Sequence, residues 1–474
     1  MRNSRDYFAA IDDDRRIWLN GRLVDRVLGS EHLRGNALEI GALYDLQLRE
    51  DLAGQLAYDD GATRYPAAFR PPVDAAALSA RGRAYEILAE ATYGFLGRSP
   101  DYLHTWVAAM NAHSDWFGEY ADNVRRFHEH VKSGNLFVTH SFTNPQTDRS
   151  RELGDLVTRE RPIALQYIGE NSNGVRVSGA RMMATSAPLA DELLVMGAGR
   201  ILREDDYDLG LGFSVPVGTE GLSFVCRGSY AGPDRQLARR FDEMDAVAVF
   251  DRVLIPWERV FIFSDPYKSN QFKAECGFFE HVGQQVLTRQ LVKGRFLLAV
   301  GTAVAQAIGI TGYPNITEKL GRISTWLDVT EACLTTAITH AEPSGPTVRP
   351  QSRSISAGLR YFNDFYPTAL TMLEEIAAGG LMLTPSVEDA EEEVLETIEH
   401  YFQGATIGGL SRVQLFAIAR ELTGSSFGRR QSLFERYFAG EPARAYSSAF
   451  NRMDLALVRK PVDKLLTAAT PVFA

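Results

Sequence analysis

The sequence predicts a mixed α+β protein, helical in its first and last thirds and β-rich between. Three observations predict it. Apolar residues recur at helical spacing up to about residue 134, the period drops to two from there to about residue 268, and long helical stretches then return. With 474 residues and 45% hydrophobic content the chain can bury more than one core. The expected division is an N-terminal helical domain at 1–134, a central β domain at 135–268 and a C-terminal helical-bundle domain at 269–474.

In the first third, "RPPVDAAALSARGRAYEIL" reads as a clear helix start. "YGFLGRSPDYLHTW" then ends one helix at Gly94 and Gly97 and begins another. Ser99 suits the N-cap, Pro100 the first helical position, and Asp101 the positive helix end. Arg98 therefore lies just outside a helix N-terminus and Tyr102 in its first turn, so a guanidinium, a phenol and free backbone N–H groups converge where an anion is favoured. An ordinary corner with a solvated arginine fits the same spacing.

In the middle third, alternation in "NLFVTHSFTN" puts Leu136, Val138, His140 and Phe142 on one strand face, with Thr139, Ser141 and Thr143 on the other. That position suits a core histidine as readily as a catalytic one. "NPQTDRS" follows as a turn carrying Gln146, Thr147, Asp148 and Arg149, a cluster suited to a polar ring edge or a phosphate, or to a plain turn with a local Asp–Arg pair.

The last third has helical stretches at 283–310, 353–379 and 405–424, long enough to pack as a bundle, and "EDAEEEVLETIEH" reads as an acidic solvated face. Near the end, "LTGSSFGRRQSLFERYFAGEPAR" sets Gly424 and Gly428 around Phe427 before Arg429, Arg430 and Gln431. Backbone can approach a ligand there with cations beside it; a helix C-cap with a basic turn reads the same way.

Composition narrows the function classes. A net charge of −10 argues against nucleic acid or an anionic membrane surface as the main partner. Cys226, Cys276 and Cys333 are too scattered for a disulfide framework or a C-x-x-C metal site, which fits a reducing cytoplasm. The N-terminal "MRNSRDYFAAIDDDRR" has charge where a signal peptide needs an apolar core, and the longest apolar run, "FLLAVGTAVAQAIGITGY", reads as a buried bundle helix rather than a membrane span. The nine histidines are dispersed and "HEH" at 128–130 splays around a helix, so no metal site is expected. The chain has no G-x-G-x-x-G after a strand, no Walker loop, no G-x-S-x-G elbow and no H-E-x-x-H.

Five stretches in order, "GRSPDYL", "THSFTNPQTDRS", "VSGARMMAT", "FDEMDAVAVFDRVLIPWERV" and "GSSFGRRQSLFERYFAGEP", resemble the 4-hydroxyphenylacetate 3-monooxygenase family, the large oxygenase components of two-component aromatic hydroxylases. The resemblance runs from about residue 4 to the C-terminal helices. It implies an acyl-CoA dehydrogenase-like fold, with an N-terminal helical domain, a central β-barrel and a C-terminal helical bundle, assembled as a homotetramer. It also implies FAD as cofactor, delivered as FADH2 by a separate NAD(P)H:flavin reductase. O2 is the co-substrate; a flavin C4a-hydroperoxide passes its distal oxygen to a phenol-type ring.

By the same resemblance Arg98, Tyr102 and His140 surround the substrate hydroxyl. A cationic corner lowers the pKa of a bound phenol, and a nearby imidazole can take its proton. Ser141, Phe142, Gln146, Thr147, Asp148, Arg149 and Thr185 fall where the family contacts the flavin. Gly440 to Arg444 and Gly424 to Gln431 are implied to reach the FAD tail across a subunit interface. One departure stands out. Members that hydroxylate carboxylated phenols offer small hydroxyl groups in the loop where "LLVMGAGRIL" has Gly197, Ala198 and Gly199. Gly197 and Ala198 are expected beside the substrate without a side-chain donor, so the substrate lacks a carboxylate, holds it elsewhere, or fills the space with a bulky apolar tail. A chlorophenol, a natural-product phenol and a hydroxypyridine all fit. The alternative on the same fold is an acyl-CoA dehydrogenase-like flavoenzyme, which would hold oxidised FAD tightly and need a carboxylate base. A non-catalytic flavin-binding protein would have no use for Arg98, Tyr102 and His140 together.

Overall fold

Helices, two main β-sheets and a helical bundle follow one another in the computed structural model, which describes residues 1–158, 162–197, 199–232 and 235–468. Asp74 starts the helix Ala75–Ala91 by accepting from the Ala77 N–H. That helix ends where Tyr93 and Gly94 take positive φ. The next helix, Pro100–Ala112, is buried along nearly its whole length, and Ala121–Gly134 ends on left-handed Asn135 before the chain enters the strand Val138–Ser141.

The central strands form a six-stranded sheet and a four-stranded sheet. In order across the first lie Arg22–Leu23, Arg16–Leu19, Leu222–Cys226, Ala246–Pro256, Gly174–Arg181 and Gln166–Asn171. The second runs Val260–Ile262, Gly212–Pro216, Glu192–Met196 and Val138–Ser141. Both sheets feed one apolar core, Val177, Phe224, Phe250 and Ile255 from the first meeting Leu193, Val195, Phe213 and Val215 from the second. Among the described residues the expected closed barrel does not form. Where the strands beside His140 continue, they touch the other sheet only at the single bridge Thr143–Met182, so the ladder is not carried round. The N-terminal third also contributes strand: Arg16–Leu19 runs parallel to Leu222–Cys226, with Arg16 opposite Ser223.

The bundle helices are Phe278–Ala307, Pro314–Thr339, Ser352–Ala377 and Gly409–Gly424, joined by Ser426–Tyr437. These match the expected helical stretches, and the apolar run is interior, with Leu297, Val300, Val304 and Ala305 buried. The first half of Phe278–Ala307 is buried all round, and its polar side chains tie it to the N-terminal helices: Gln284 donates to Leu78 O at 2.7 Å and Arg289 to Gly94 O at 2.8 Å. Glu435 closes this seam, receiving both guanidinium ends of Arg289 at 2.8 and 2.9 Å, the Lys293 ammonium at 2.8 Å and Gln290 at 2.9 Å. Beyond it, Pro442–Asn451 and Leu455–Ala468 bury no described side chain, and Tyr446, Phe450, Leu457, Leu465 and Leu466 face outward. No helix among the described residues is long and apolar enough to cross a membrane.

Candidate active site

The corner at residues 97–102 is built by a close approach. A Cβ on Gly97 would lie 2.4 Å from Phe434 Cζ, so only glycine lets that ring pack beneath the turn. The Arg98 guanidinium sits 4.4 Å from the centre of the Tyr102 ring and 5.3 Å from that of Phe434. Its Nη1 donates to Gly97 O, its Nε is buried without a partner, and among the described residues its side chain pairs with no carboxylate. The Arg98 backbone N–H donates to Glu243 Oε1 at 2.6 Å.

Glu243 is buried and also receives Arg430 Nη1 at 3.0 Å. Arg430 in turn grips Asp245 through two bonds of 3.0 and 2.8 Å, and Asp245 accepts the Thr185 hydroxyl at 2.7 Å. The arginine charges hold the Asp245 carboxyl far below the usual range despite its burial. One chain of charge-assisted bonds thus joins the turn at Arg98, the strand at Asp245 and the helix Ser426–Tyr437.

His140 sits on the edge strand of the four-stranded sheet, paired with Leu194. As alternation requires, its ring lies on the Phe142 face, stacked at 3.9 Å and 6°. Thr139 and Ser141 face the other way, donating to Thr185 O at 2.6 Å and Met182 O at 2.7 Å. His140 Nε2 is 3.3 Å from the Tyr102 hydroxyl, and its Nδ1 has no partner. Burial, reinforced by the charges of Arg98 and Lys273, pushes the imidazole pKa well below its ordinary value, so the ring is neutral at pH 7. Burial raises the Tyr102 hydroxyl against the opposing pull of Arg98. The expected cap at Ser99 takes another form. Its side chain makes no capping bond; Gln285 Nε2 instead donates to Ser99 Oγ at 3.4 Å and Asp101 Oδ2 at 2.9 Å.

Aromatic rings wall the corner. Trp106 meets Phe142 edge-on at 5.4 Å and Phe278 at 4.8 Å, with Phe272 at 5.8 Å. Water has little to bind there. A groove of about 410 Å³ on the bundle surface, lined by Glu318, Lys319, Arg322, Met372 and Glu375 among others, contains none of these residues.

The residues assigned to the flavin are less uniform. Ser141, Phe142 and Thr185 are buried beside the corner, whereas Gln146, Thr147 and Arg149 lie on the more open turn that follows, where Asp148 accepts from Ser150. Glu441 caps the last segment by accepting from Arg444 N at 2.9 Å, and that backbone bond, with a lesser pull from the Arg149 charge, lowers its carboxyl. A polar ring edge fits the strand end: Asn144 Nδ2 and both amide atoms of Gln166 are buried with no partner, and Asn144 Oδ1 accepts from Leu165 N next to Gln166.

The loop after Met196 departs from expectation. Gly197 and Gly199 have φ of +60° and +73°, and a Cβ would lie 2.7 Å from Phe272 Cε1 at the first and 2.8 Å from Thr143 Cα at the second. Conformation and close packing require these glycines, and their Cβ sides leave no space for a bulky tail. The Gly197 carbonyl accepts from Arg181, and Ala198 lies outside the described residues. Glu243, Asp245, Phe434, Lys273 and Arg181 do not stand out in the sequence. The run "FDEMD" carries a signal, three carboxylates before a strand, but its partner Arg430 is 187 positions from Glu243.

The fold is shared with other enzymes: the chain superposes on an archaeal 4-hydroxybutyryl-CoA dehydratase from N. maritimus with a TM-score of 0.86 at 18% identity, covering 100% of this chain and 96% of that one, a likeness of fold alone. The sequence is more specific. Residues 3–262 match the 4-hydroxyphenylacetate 3-hydroxylase N-terminal family and residues 269–467 its C-terminal counterpart, and the chain belongs to this family of flavin-dependent aromatic hydroxylases. It is 34% identical over 462 residues to the 4-hydroxyphenylacetate 3-monooxygenase oxygenase component of Thermus thermophilus, covering 96% of this chain and 95% of that one. The crystal structure of such an oxygenase component with FAD and 4-hydroxyphenylacetate superposes with a TM-score of 0.95 at 33% identity over the full length of both chains.

Proposed function

We propose that this protein is the oxygenase component of a two-component system that hydroxylates a phenol-type ring with O2 and FAD, the FAD being reduced by a separate NAD(P)H:flavin reductase. The observation that carries the reading is the neutral, half-partnered His140 facing the Tyr102 hydroxyl beside the unpaired Arg98 guanidinium. A substrate hydroxyl set against these three groups has an acceptor in His140 Nε2, a donor in Tyr102 and a positive charge in Arg98. Arg98 favours the phenolate, and His140, kept neutral, is free to take up the departing proton. An electron-rich ring is what an electrophilic oxygen donor needs; reduced FAD, when bound, supplies that oxygen from O2.

Ser141, Phe142, Thr185, Asn144 and Gln166 would hold the flavin ring, and Gln146 to Arg149 with Gly440 to Arg444 its tail. The aromatic wall of Trp106, Phe142, Phe272 and Phe278 keeps water from the reacting atoms. Glu243 beside the corner is committed to Arg98 N–H and Arg430, which does not suit it to be the carboxylate base of an acyl-CoA dehydrogenase-like reaction. The outward apolar face of Pro442–Asn451 and Leu455–Ala468 supports assembly of several copies, a homotetramer by family analogy, and the thiol pattern supports a cytoplasmic setting. The test supplies reduced FAD, O2 and a panel of phenols to the purified chain, with and without a reductase. Catechol-type product that depends on reduced FAD is expected. NADH oxidation at a catalytic rate by the chain alone, or no hydroxylated product from any phenol, refutes the proposal.

A further inference from the structure

The protein carries a net charge of −10, yet three cations around the corner have no counter-ion among the described residues. Arg98 has the substrate oxygen to serve. The other two do not. Lys273, on the helix Pro266–Glu275, places its ammonium 4.9 Å from the centre of the Phe142 ring, 5.7 Å from Phe272 and 5.9 Å from Phe278. Among the described residues it makes no ion pair and no side-chain hydrogen bond, and the three rings are what its ammonium faces.

The lysine is exposed at the rim of the aromatic wall, and desolvation by the protein beside it lowers its pKa to about 8. Arg181 is fully buried at the other side of the same loop, one nitrogen donating to Gly197 O and two more, Nε and Nη2, without partners. No carboxylate among the described residues forms an ion pair with it, and burial lowers its pKa to about 9. The two cations flank one structural unit, since the Gly197 backbone packs against Phe272 and Ser269 on the helix of Lys273 while its carbonyl rests on Arg181.

We propose that Lys273 is the specificity-determining residue that receives an anionic substituent, a carboxylate, on the aromatic substrate, with Arg181 holding the Gly197 carbonyl that packs against the helix of Lys273. This rests on the aromatic-hydroxylase reading. His140 stacks on one ring that Lys273 also covers, so a ring whose hydroxyl meets His140 and Tyr102 lies across the Phe142 wall with its far substituent toward Lys273. A carboxylate there neutralises the ammonium and gains a charge-assisted bond beside the aromatic wall. The side-chain hydroxyl groups missing from Gly197 and Gly199 are then replaced by one cation arriving from a neighbouring helix.

The experiment compares 4-hydroxyphenylacetate, 3-(4-hydroxyphenyl)propanoate and 4-hydroxybenzoate with their primary amides, using full-length protein, reduced FAD and O2. It is run on the wild type, Lys273→Met and Lys273→Arg. For the wild type, kcat/KM should favour at least one acid over its amide. Lys273→Met should cut that preference about ten- to a hundredfold, the worth of one hydrogen bond to a charged group, mainly by raising KM for the acid. Lys273→Arg should restore most of it. A preference for the acid that survives in Lys273→Met, or a wild type that treats acids and amides alike, overturns the inference while leaving aromatic hydroxylation intact. Failure of the wild type to hydroxylate any of the six compounds overturns it and counts against the hydroxylase reading too.

Discussion

Glu243 offers the sharpest test of how the fold holds the reacting corner. Its Oε1 takes the Arg98 N–H at 2.6 Å and its Oε2 the Arg430 guanidinium at 3.0 Å, both away from water. Glu243→Gln keeps one acceptor of the same shape but loses the charge. Because Asp245 retains its two-bond grip on Arg430, the cost should be about 1.5–3 kcal/mol, the worth of one bond to a charged group. Glu243→Ala also leaves the Arg98 N–H unpaired, and the loss should rise to about 3–5 kcal/mol. Function should follow geometry. With the turn at Arg98 released, the guanidinium drifts from the substrate oxygen, and misplacement of about 1 Å can cost a hundredfold. Urea unfolding gives the stability change, and the ratio of hydroxylated product to O2 consumed reports the corner. In Glu243→Ala that ratio should fall at least tenfold while reduced FAD is still consumed, the difference appearing as H2O2. A variant within about 1 kcal/mol of wild type and with unchanged coupling would refute this reasoning.

His140→Ala should lower product formation by about two to four orders of magnitude, the usual range for a lost general base, without abolishing O2 consumption; unchanged coupling in stopped-flow and product assays would remove the base role from His140. Tyr102→Phe should cost less, about ten- to a hundredfold in kcat/KM, because one hydrogen bond to the forming phenolate is lost. Glu435→Gln should destabilise by about 3–5 kcal/mol in urea, since it strands Arg289 and Lys293 in the interior, and a shift below about 1 kcal/mol would contradict the seam described above. Acid should destabilise early: burial holds His104 at about 4 and keeps His140 and His281 well below their ordinary value, so below pH 6.5 the unfolded chain binds more protons than the folded one. Stability should be full above about pH 6.5 and fall by about 1.4 kcal/mol per pH unit for each of these histidines as pH drops; unfolding free energies that stay flat from pH 7 to 5 would rule this out.

Much of the fold is legible in the sequence because its signals are local. The change from helical to twofold period marks the sheets, and Ser99–Pro100–Asp101 marks a helix start even though the capping bond expected from Ser99 is not made. Alternation alone places His140 on the Phe142 face, and the stacked rings agree with that placement. What stays hidden depends on long-range contacts. Glu243 meets Arg98 across 145 positions, and nothing in the single sequence aligns them. The glycines at 197 and 199 read as open space because composition cannot tell a vacancy from a tight turn; positive φ and the nearness of Phe272 and Thr143 decide the matter. The barrel expectation comes with the family resemblance, and two sheets that share a core without a closed ladder carry the same alternation.

The strand Arg16–Leu19 makes the beginning of this chain depend on a much later part. Its partner in the sheet is Ser223–Val225, while Arg2 pairs with Asp191 and Tyr7 donates to Leu189 O. A ribosome adding about 5–20 residues per second delivers that partner roughly 10–40 s after the first strand has emerged. Through that interval the nascent chain carries an unpaired strand edge and the apolar side chains of Ile17 and Leu19 without the sheet that buries them. Synthesis of this protein is therefore a period of exposure that the cell has to shelter, and a message truncated before the codon for Cys226 yields a product with no way to end it.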